Sequence, residues 1–306
     1  MHATGPAFNN RHHKMPKNCM YFFAWLFFGL RLFHANAQPE RPALTGIAFI
    51  EIQVTDLKKS TGFYTGLLGY QAVTVHTSAA KDQWIHFPVN AAQSIRIKDG
   101  LPAGQNERLL SVAFRTTDAE SLRRYLQSKS VKVPASVIKE PGGDSWFQVT
   151  DPGNHTIKFI QYAADKTTTL QQQGISTSIL HAGITVADTA AINVFYRDIL
   201  GFSETWRGGA NDSVTSWINM HVPGSTAYLE YMLVSGPVNR QQLGGLHHIA
   251  LMVPDMQQAL DVLYRRAPDT GYPVPSPRVG RNRRWQLNLF DPDGTRIELM
   301  EPFTMR

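Results

Sequence analysis

The chain has 306 residues, 42% hydrophobic and 18% charged, which excludes a disordered polypeptide and leaves length for one large domain or two ordinary ones. Its formal net charge is +6, but Arg11, Lys14, Lys17 and Arg31 stand in residues 1–37 without any Asp or Glu; removing these four charges leaves about +2 and no case for a nucleic-acid-binding surface. Cys19 is the only cysteine, so without that segment there is no disulfide or thiolate, and any metal must be held by nitrogen and oxygen.

In chain order, the basic residues precede an apolar run, Met20 to Leu30, and Ala35-Asn36-Ala37 then offers a small-residue cleavage site before Gln38. That order is the pattern of a secretory signal peptide over residues 1–37. The apolar run covers 11 residues before Arg31, short of the about 20 that a bilayer span needs. The expectation is a secreted or periplasmic protein with no stable membrane span after cleavage. The alternatives are an uncleaved N-terminal membrane anchor and a true start at Met15.

After Pro39 and Pro42 the sequence is written twice. The first copy is placed at 43–162 and the second at 179–303, joined by a polar, Thr- and Gln-rich linker at 163–178. Phe63-Tyr64 followed by Leu68-Gly69-Tyr70 recurs 132 residues later as Phe195-Tyr196 followed by Leu200-Gly201-Phe202. Trp84-Ile85 recurs as Trp217-Ile218, and Asp151-Pro152 as Asp291-Pro292.

Each copy holds a smaller unit twice. Ile47 to Val54 reads as a strand, with Thr55-Asp56 capping a helix that carries Leu57, Phe63, Tyr64 and Leu67. Leu109 to Arg115, then Asp118 and a helix with Leu122, Tyr125 and Leu126, repeats the pattern. In the second copy His181 to Val186 and His248 to Val253 are the first strands, with Asp188 and Asp255 as the caps. Extended runs follow at Ser216 to Met220, Ala227 to Leu233, Trp285 to Phe290 and Thr295 to Met300, the last two flanking the turn Asp291-Pro292-Asp293-Gly294. The pattern predicts four βαβββ modules, two per domain.

Four polar residues of the second copy stand at module-equivalent places. His181 and His248 each precede the Asp of a helix cap by seven residues, and Glu230 and Glu298 each lie in a module's last strand. A lone strand His is most often a packing or surface residue, and a lone Glu between apolar neighbours most often faces water. Two pairs at equivalent positions are harder to obtain by chance. The offsets carry the four onto Phe49, Ile97, Ser111 and Lys158, so the scaffold itself does not demand His or Glu there. If paired modules curl into one cup, the four side chains converge on a point and form a metal site. His86, His155, His221 and His247 read as surface or packing residues, and Trp84 and Trp217 as core. Arg284, Gln286 and Asn288 share one face of a strand that faces the cup, and Arg207 is near enough in sequence to reach an anionic group, although an exposed charge is the plainer reading.

These residues resemble the vicinal oxygen chelate superfamily: His181 seven before Asp188, the Phe-Tyr-x-x-x-Leu-Gly-Phe helix, His248-Ile249 with Val253-Pro254-Asp255, and Asp291-Pro292-Asp293-Gly294 leading to Ile297-Glu298-Leu299. The superfamily includes glyoxalase I, extradiol ring-cleaving dioxygenases, fosfomycin-resistance proteins, bleomycin-binding proteins and methylmalonyl-CoA epimerase. The resemblance covers nearly all of 45–303 and implies an α+β fold of two such domains, each a pair of βαβββ modules forming a cup-shaped mixed sheet. The N-terminal domain lacks the metal ligands and the C-terminal one carries them.

The set His181, Glu230, His248 and Glu298 is similar to that of glyoxalase I, which implies one divalent ion, Ni, Co or Zn, and a glyoxalase-like isomerase or lyase acting on a small substrate with vicinal oxygens. Glu230 and Glu298 would then be the catalytic carboxylates, one of them moving a proton from carbon. The layout with a metal-free first domain is similar to the two-domain extradiol dioxygenases instead, which implies His181, His248 and Glu298 on Fe(II) or Mn(II). Against that alternative, Val279 to Ile297 contains no acid–base Tyr or His. A third reading is a bleomycin-resistance-type binding protein without catalysis. Isomerase or lyase chemistry is placed first, with a small molecule as the partner and a homodimer as a further expectation. A secreted protein would not meet glutathione conjugates, which points to another substrate.

Overall fold

Aspartate caps set the module pattern. Asp56, Asp118, Asp188 and Asp255 each hold extended backbone and accept backbone N–H bonds from Lys59, from Ser121, from Ala190 and Ala191, and from Gln258. The helices they start are Leu57–Gly62, Ala119–Ser128, Thr189–Asn193 and Met256–Thr270. The first and third run on as π-turns, Phe63–Leu67 and Val194–Ile199, and close on Gly69 and Gly201, whose φ values of 77° and 75° suit glycine. The computed structural model describes residues 39–76, 83–102, 104, 105, 107–163, 174–236 and 245–303, with positions 1, 2, 4, 5, 238 and 243. The segment read as a signal peptide lies outside the described residues except at its first positions. Among the described residues no helix is long and apolar enough to cross a membrane.

The strands of the first half are β1 (Leu44–Gln53), β2 (Val73–His76), β3 (Gln83–Asn90), β4 (Gln93–Lys98), β5 (Leu109–Thr116), β6 (Ile138–Lys139), β7 (Ser145–Thr150) and β8 (Thr156–Gln161). Those of the second are β9 (Ser178–Val186), β10 (Ser203–Gly208), β11 (Trp217–His221), β12 (Tyr228–Leu233), β13 (His248–Met252), β14 (Arg278–Val279), β15 (Trp285–Phe290) and β16 (Arg296–Met300). They form two sheets of identical order, β2-β3-β4-β1-β5-β8-β7-β6 and β10-β11-β12-β9-β13-β16-β15-β14. Each sheet is mixed: the two first strands of its modules pair antiparallel at the centre, and each pairs parallel with its own module's last strand. This is the α+β fold of two domains, each a pair of βαβββ modules.

One face of each sheet packs under the helices. Phe63, Tyr64, Leu67, Phe114, Phe159, Phe195, Tyr196, Phe202 and Leu263 belong to one buried cluster that runs through both halves. The duplicated motifs tie the halves reciprocally: Tyr64 donates to Asp291 at 3.3 Å and Tyr196 donates to Asp151 at 2.8 Å. Two histidines read as surface or packing residues are buried at this junction, His155 at 7% and His247 at 4% exposure. His155 pairs with Asp151 at 3.0 Å, and the Thr185 hydroxyl lies between the two rings, 3.4 Å from His155 and 3.1 Å from His247. The first half thus buttresses β9 and the start of β13. The tryptophans are half-buried rather than core, because both stand on strands toward the open edge of a cup.

Candidate metal centre

β12, β9, β13 and β16 are the four adjacent central strands of the second sheet, and each donates one side chain to the concave face. His181 stands opposite Tyr228 and Ala250, Glu230 opposite Gly183, and Glu298 opposite Ala250. Side chains two rungs apart on neighbouring strands share a face, so this register gathers all four at one place. The wet-strand reading of the glutamates fails: exposures are 0% for His181, 9% for Glu230, 2% for His248 and 5% for Glu298.

One donor atom from each residue lies within 4.8 Å of the other three. His181 Nε2 is 2.9 Å from His248 Nε2, and Glu230 Oε2 is 3.2 Å from His248 Nε2 and 3.7 Å from His181 Nε2. Glu298 Oε2 is 3.6 Å from each imidazole nitrogen. Two donors at right angles about one ion, each about 2.1 Å from it, stand about 3.0 Å apart, so this spacing fits a single divalent cation. The donor set fits as well, since neutral imidazoles and carboxylates hold Zn, Ni, Co, Fe or Mn.

The electrostatics agree. Burial, with Arg296 and His181 close by, pushes His248 well below the usual imidazole range, which keeps it neutral. Its Nδ1 lies 2.9 Å from the Leu246 carbonyl, a partner that fixes the proton on Nδ1 and leaves the Nε2 lone pair for a metal. Arg296 Nη2 crowds the same Nδ1 at 2.7 Å. Burial pushes Glu298 up, but the hydrogen bond and charge of His181, with Arg296 and His248, outweigh it and hold the carboxyl below its usual range. Tyr228 stacks on the His181 ring at 4.5 Å. Burial and the charges of Glu230 and Glu298 raise that phenol well above its usual value, so it stays protonated.

A cavity of about 610 Å³ opens on Glu230 and Glu298, walled by Trp206, Trp217, Gln286 and arginines 278, 281, 283 and 296. Trp217 therefore belongs to the cup and not to the core. Of the strand face Arg284, Gln286 and Asn288, Gln286 lines this cavity and Asn288 stands opposite Glu298 in the sheet. Arg207 does not reach in; it pairs in solvent with Glu204 at 2.6 Å.

The register corrects one counterpart in the first half. Glu230 stands opposite Gly183 as Arg96 stands opposite Glu51, so Arg96, and not Ile97, holds the equivalent place. Ile97 is turned into the core at 0% exposure. Phe49, Ser111 and Lys158 fall where the offsets put them. The first cup thus carries two cations where the second carries two carboxylates. They gather around Glu51, which accepts from Lys158 and Ser111 at 2.6 Å each and lies 3.6 Å from Arg96.

Gly183 and Arg296 were not singled out from sequence. A Cβ on Gly183 would overlap the His248 ring and stand 2.7 Å from the Leu246 carbonyl, so only glycine lets that ring cross β9. The available signal was a glycine inside a strand, two residues after a candidate ligand.

The model of the "Glyoxalase/Bleomycin resistance protein/Dioxygenase superfamily" matches residues 46–159 and 178–299. No curated protein matches the chain. Among solved structures it is similar to homoprotocatechuate 2,3-dioxygenase from Brevibacterium fuscum in complex with 3,4-dihydroxyphenylacetate, at 21% identity and a TM-score of 0.62 over 86% of this chain and 82% of that one. It is also similar to the 2,3-dioxygenase LapB from Pseudomonas sp. KL28, at 15% identity and a TM-score of 0.66 over 86% and 93%. Identities this low establish a shared fold.

Proposed function

This chain belongs to the glyoxalase/bleomycin resistance protein/dioxygenase superfamily, and we propose that its second half is a divalent-metal enzyme that cleaves the ring of a catechol-type substrate. The observation that carries the proposal is the confinement of two His and two Glu, within 4.8 Å of one another, to one cup of a duplicated scaffold. Support for ring cleavage comes from the similar solved structures, which are dioxygenases matched along both halves. They favour the alternative of the sequence reading over the isomerase or lyase placed first there.

A divalent ion held here, Fe or Mn in this reading, would supply Lewis acidity to two adjacent substrate oxygens. His181 and His248 would hold it through Nε2, and Glu298 through its carboxylate. Glu230 has the most exposed side chain of the four, at 12%, and lines the cavity, so it is the group placed to take a proton from a substrate hydroxyl. Tyr228, held protonated, braces the His181 ring. Trp206 and Trp217 wall the cavity.

One observation favours the glyoxalase-like isomerase or lyase as a second reading: Glu230 Oε2 is 3.2 Å from His248 Nε2, close enough to be a fourth ligand to Ni, Co or Zn. Glu230→Gln separates the two, with metal content and oxygen uptake on catechols as readouts. Ring cleavage expects oxygen uptake by the native protein, and a variant that keeps its metal while losing about 10²-fold or more in rate. Isomerase or lyase chemistry expects no oxygen uptake and a variant that loses metal.

A further inference from the structure

We infer a second site at the seam between the halves, separate from the cup, in which the Thr185 hydroxyl attacks the carbonyl of a small uncharged ester, with His155 as base and Asp151 orienting it. His155 Nδ1 lies 3.0 Å from the Asp151 carboxylate, so a neutral ring carries its proton on Nδ1 and leaves Nε2 bare. That nitrogen is 3.4 Å from Thr185 Oγ1, at the length such bonds take before a substrate is bound. His247 Nε2 is 3.1 Å from the same oxygen. The hydroxyl has one proton, and when it donates to His155 it accepts from His247, a bond that stabilises the alkoxide as it develops. Carboxylate, imidazole and hydroxyl therefore stand in the order that activates an alcohol as a nucleophile.

Thr185 is half-buried and lines a cavity of about 270 Å³ shared by the turn Pro152-Gly153-Asn154 of the first half and Ala187, Asp188, Ile192 and Val234 of the second. A Cβ on Gly153 would stand 2.7 Å from the His155 ring, so glycine lets the imidazole lie directly under that wall. The equivalent seam made by Asp291 is closed instead. With Asp151 matched to Asp291 and Asp188 to Asp56, Gly153 and Ala187 correspond to Asp293 and Thr55, whose side chains bond to each other at 2.6 Å. With His248 matched to Ser111, the places of His155, Thr185 and His247 are held there by Thr295, Gln53 and Leu110. Both seams keep the carboxylate and the tyrosine that donates to it. The junction thus requires Asp151, but neither the histidines, nor the threonine hydroxyl, nor an open cavity. The lining is apolar at Pro152, Ala187, Ile192 and Val234, and the Asp188 carboxylate is engaged by the Ala190 and Ala191 N–H groups, which suits a short uncharged acyl chain.

In the reaction the bond from Thr185 Oγ1 to the carbonyl carbon forms as the hydroxyl proton passes to His155 Nε2. The bond from that carbon to the alkoxy oxygen then breaks, and the leaving alkoxide takes the proton and departs as the alcohol. Water attacks the threonyl ester through the same base, releasing the carboxylic acid and returning a proton to Thr185.

The probe is p-nitrophenyl acetate, and the native full chain is assayed with and without a chelator. Saturable release of p-nitrophenol is expected in both, together with an acetyl group on Thr185 in peptide mass spectrometry after an acid quench. Thr185→Val and His155→Gln are each expected to lower kcat about 100-fold or more, with KM within about three-fold of the native value. If either variant fails to fold, the acetyl group on Thr185 of the native chain decides: its presence supports the site and its absence overturns it. Release no faster than in buffer, release that stops on chelation, an acetyl group found only on other residues, or variants that keep the native rate would likewise overturn the inference.

Discussion

Glu51 in the first half stands at the strand position that Gly183 holds in the second, each two residues beyond the first ligand position, at Phe49 and His181, and each opposite the β4 or β12 residue that faces the cup. This exchange separates the two cups chemically. With no side chain at 183, the His248 ring crosses β9 and meets His181, Glu230 and Glu298. With Glu51 in that place, a carboxylate fills the centre and takes Lys158 and Ser111 as partners at 2.6 Å, so an internal ion pair stands where the second half gathers two His and two Glu.

Gly183→Ala tests the close approach. The added methyl must displace the His248 ring or the Leu246 carbonyl. The expected outcome is a fold kept at a cost of about 1–3 kcal/mol and a metal affinity lowered at least about ten-fold, read by thermal unfolding and by competition with a chelator. Unchanged metal affinity would show that the ring does not need this gap.

Glu51→Gln leaves Lys158 and Arg96 without their anion in a nearly closed site. An expected loss of about 3 kcal/mol in urea unfolding follows, most of it recovered when Lys158→Met is added, while metal content stays at the native level. A drop in metal with Glu51→Gln would contradict the assignment of the two cups to separate roles.

Asp291 supplies a pH dependence. Burial, although opposed by the backbone bond from Thr295, raises its carboxyl to about 6 from an ordinary 3.8. A raised folded value means the folded state holds its proton more tightly than the unfolded state. The resulting stability is fully present below the ordinary value and is lost as pH rises through the folded one. Asp291→Asn is therefore expected to remove a fall in stability on the order of 2–3 kcal/mol between about pH 4 and pH 6, measured by chemical denaturation of the metal-free protein. The native slope surviving in the variant would assign it to another group.

Secretion remains a proposal carried by residues 1–37 alone. Expression of the full chain in a secreting bacterial host should give a mature N-terminus at Gln38 by terminal sequencing. A protein recovered with its first residues intact would favour the uncleaved anchor.

Much of this arrangement was legible in the sequence because it is local. Asp56, Asp118, Asp188 and Asp255 each announce a helix, and the duplication supplied a control against which His181, Glu230, His248 and Glu298 stood out. What was not legible depended on distance or on loop length. The offset between copies grows from 132 at Phe63 to 134 at Arg96, because the intervening turns of the second copy are longer, and the one-residue slip put Ile97 where Arg96 belongs. In a strand such a slip exchanges core for cup. Repetition in both halves marks Trp217 as architecture, whereas its place on β11 puts it in the cavity wall. His155 has a local partner in Asp151, but its contacts with Thr185 and His247 join the two halves and are not legible in sequence.

The most direct test of the account is the metal content of the purified native chain beside that of His181→Ala, His248→Ala and Glu298→Ala after reconstitution. The account predicts about one divalent ion per native chain and a loss of about ten-fold or more in affinity with each variant, the first half being intact in all of them. A native chain that holds no metal after reconstitution, or variants that bind it as tightly as the native protein, would contradict it.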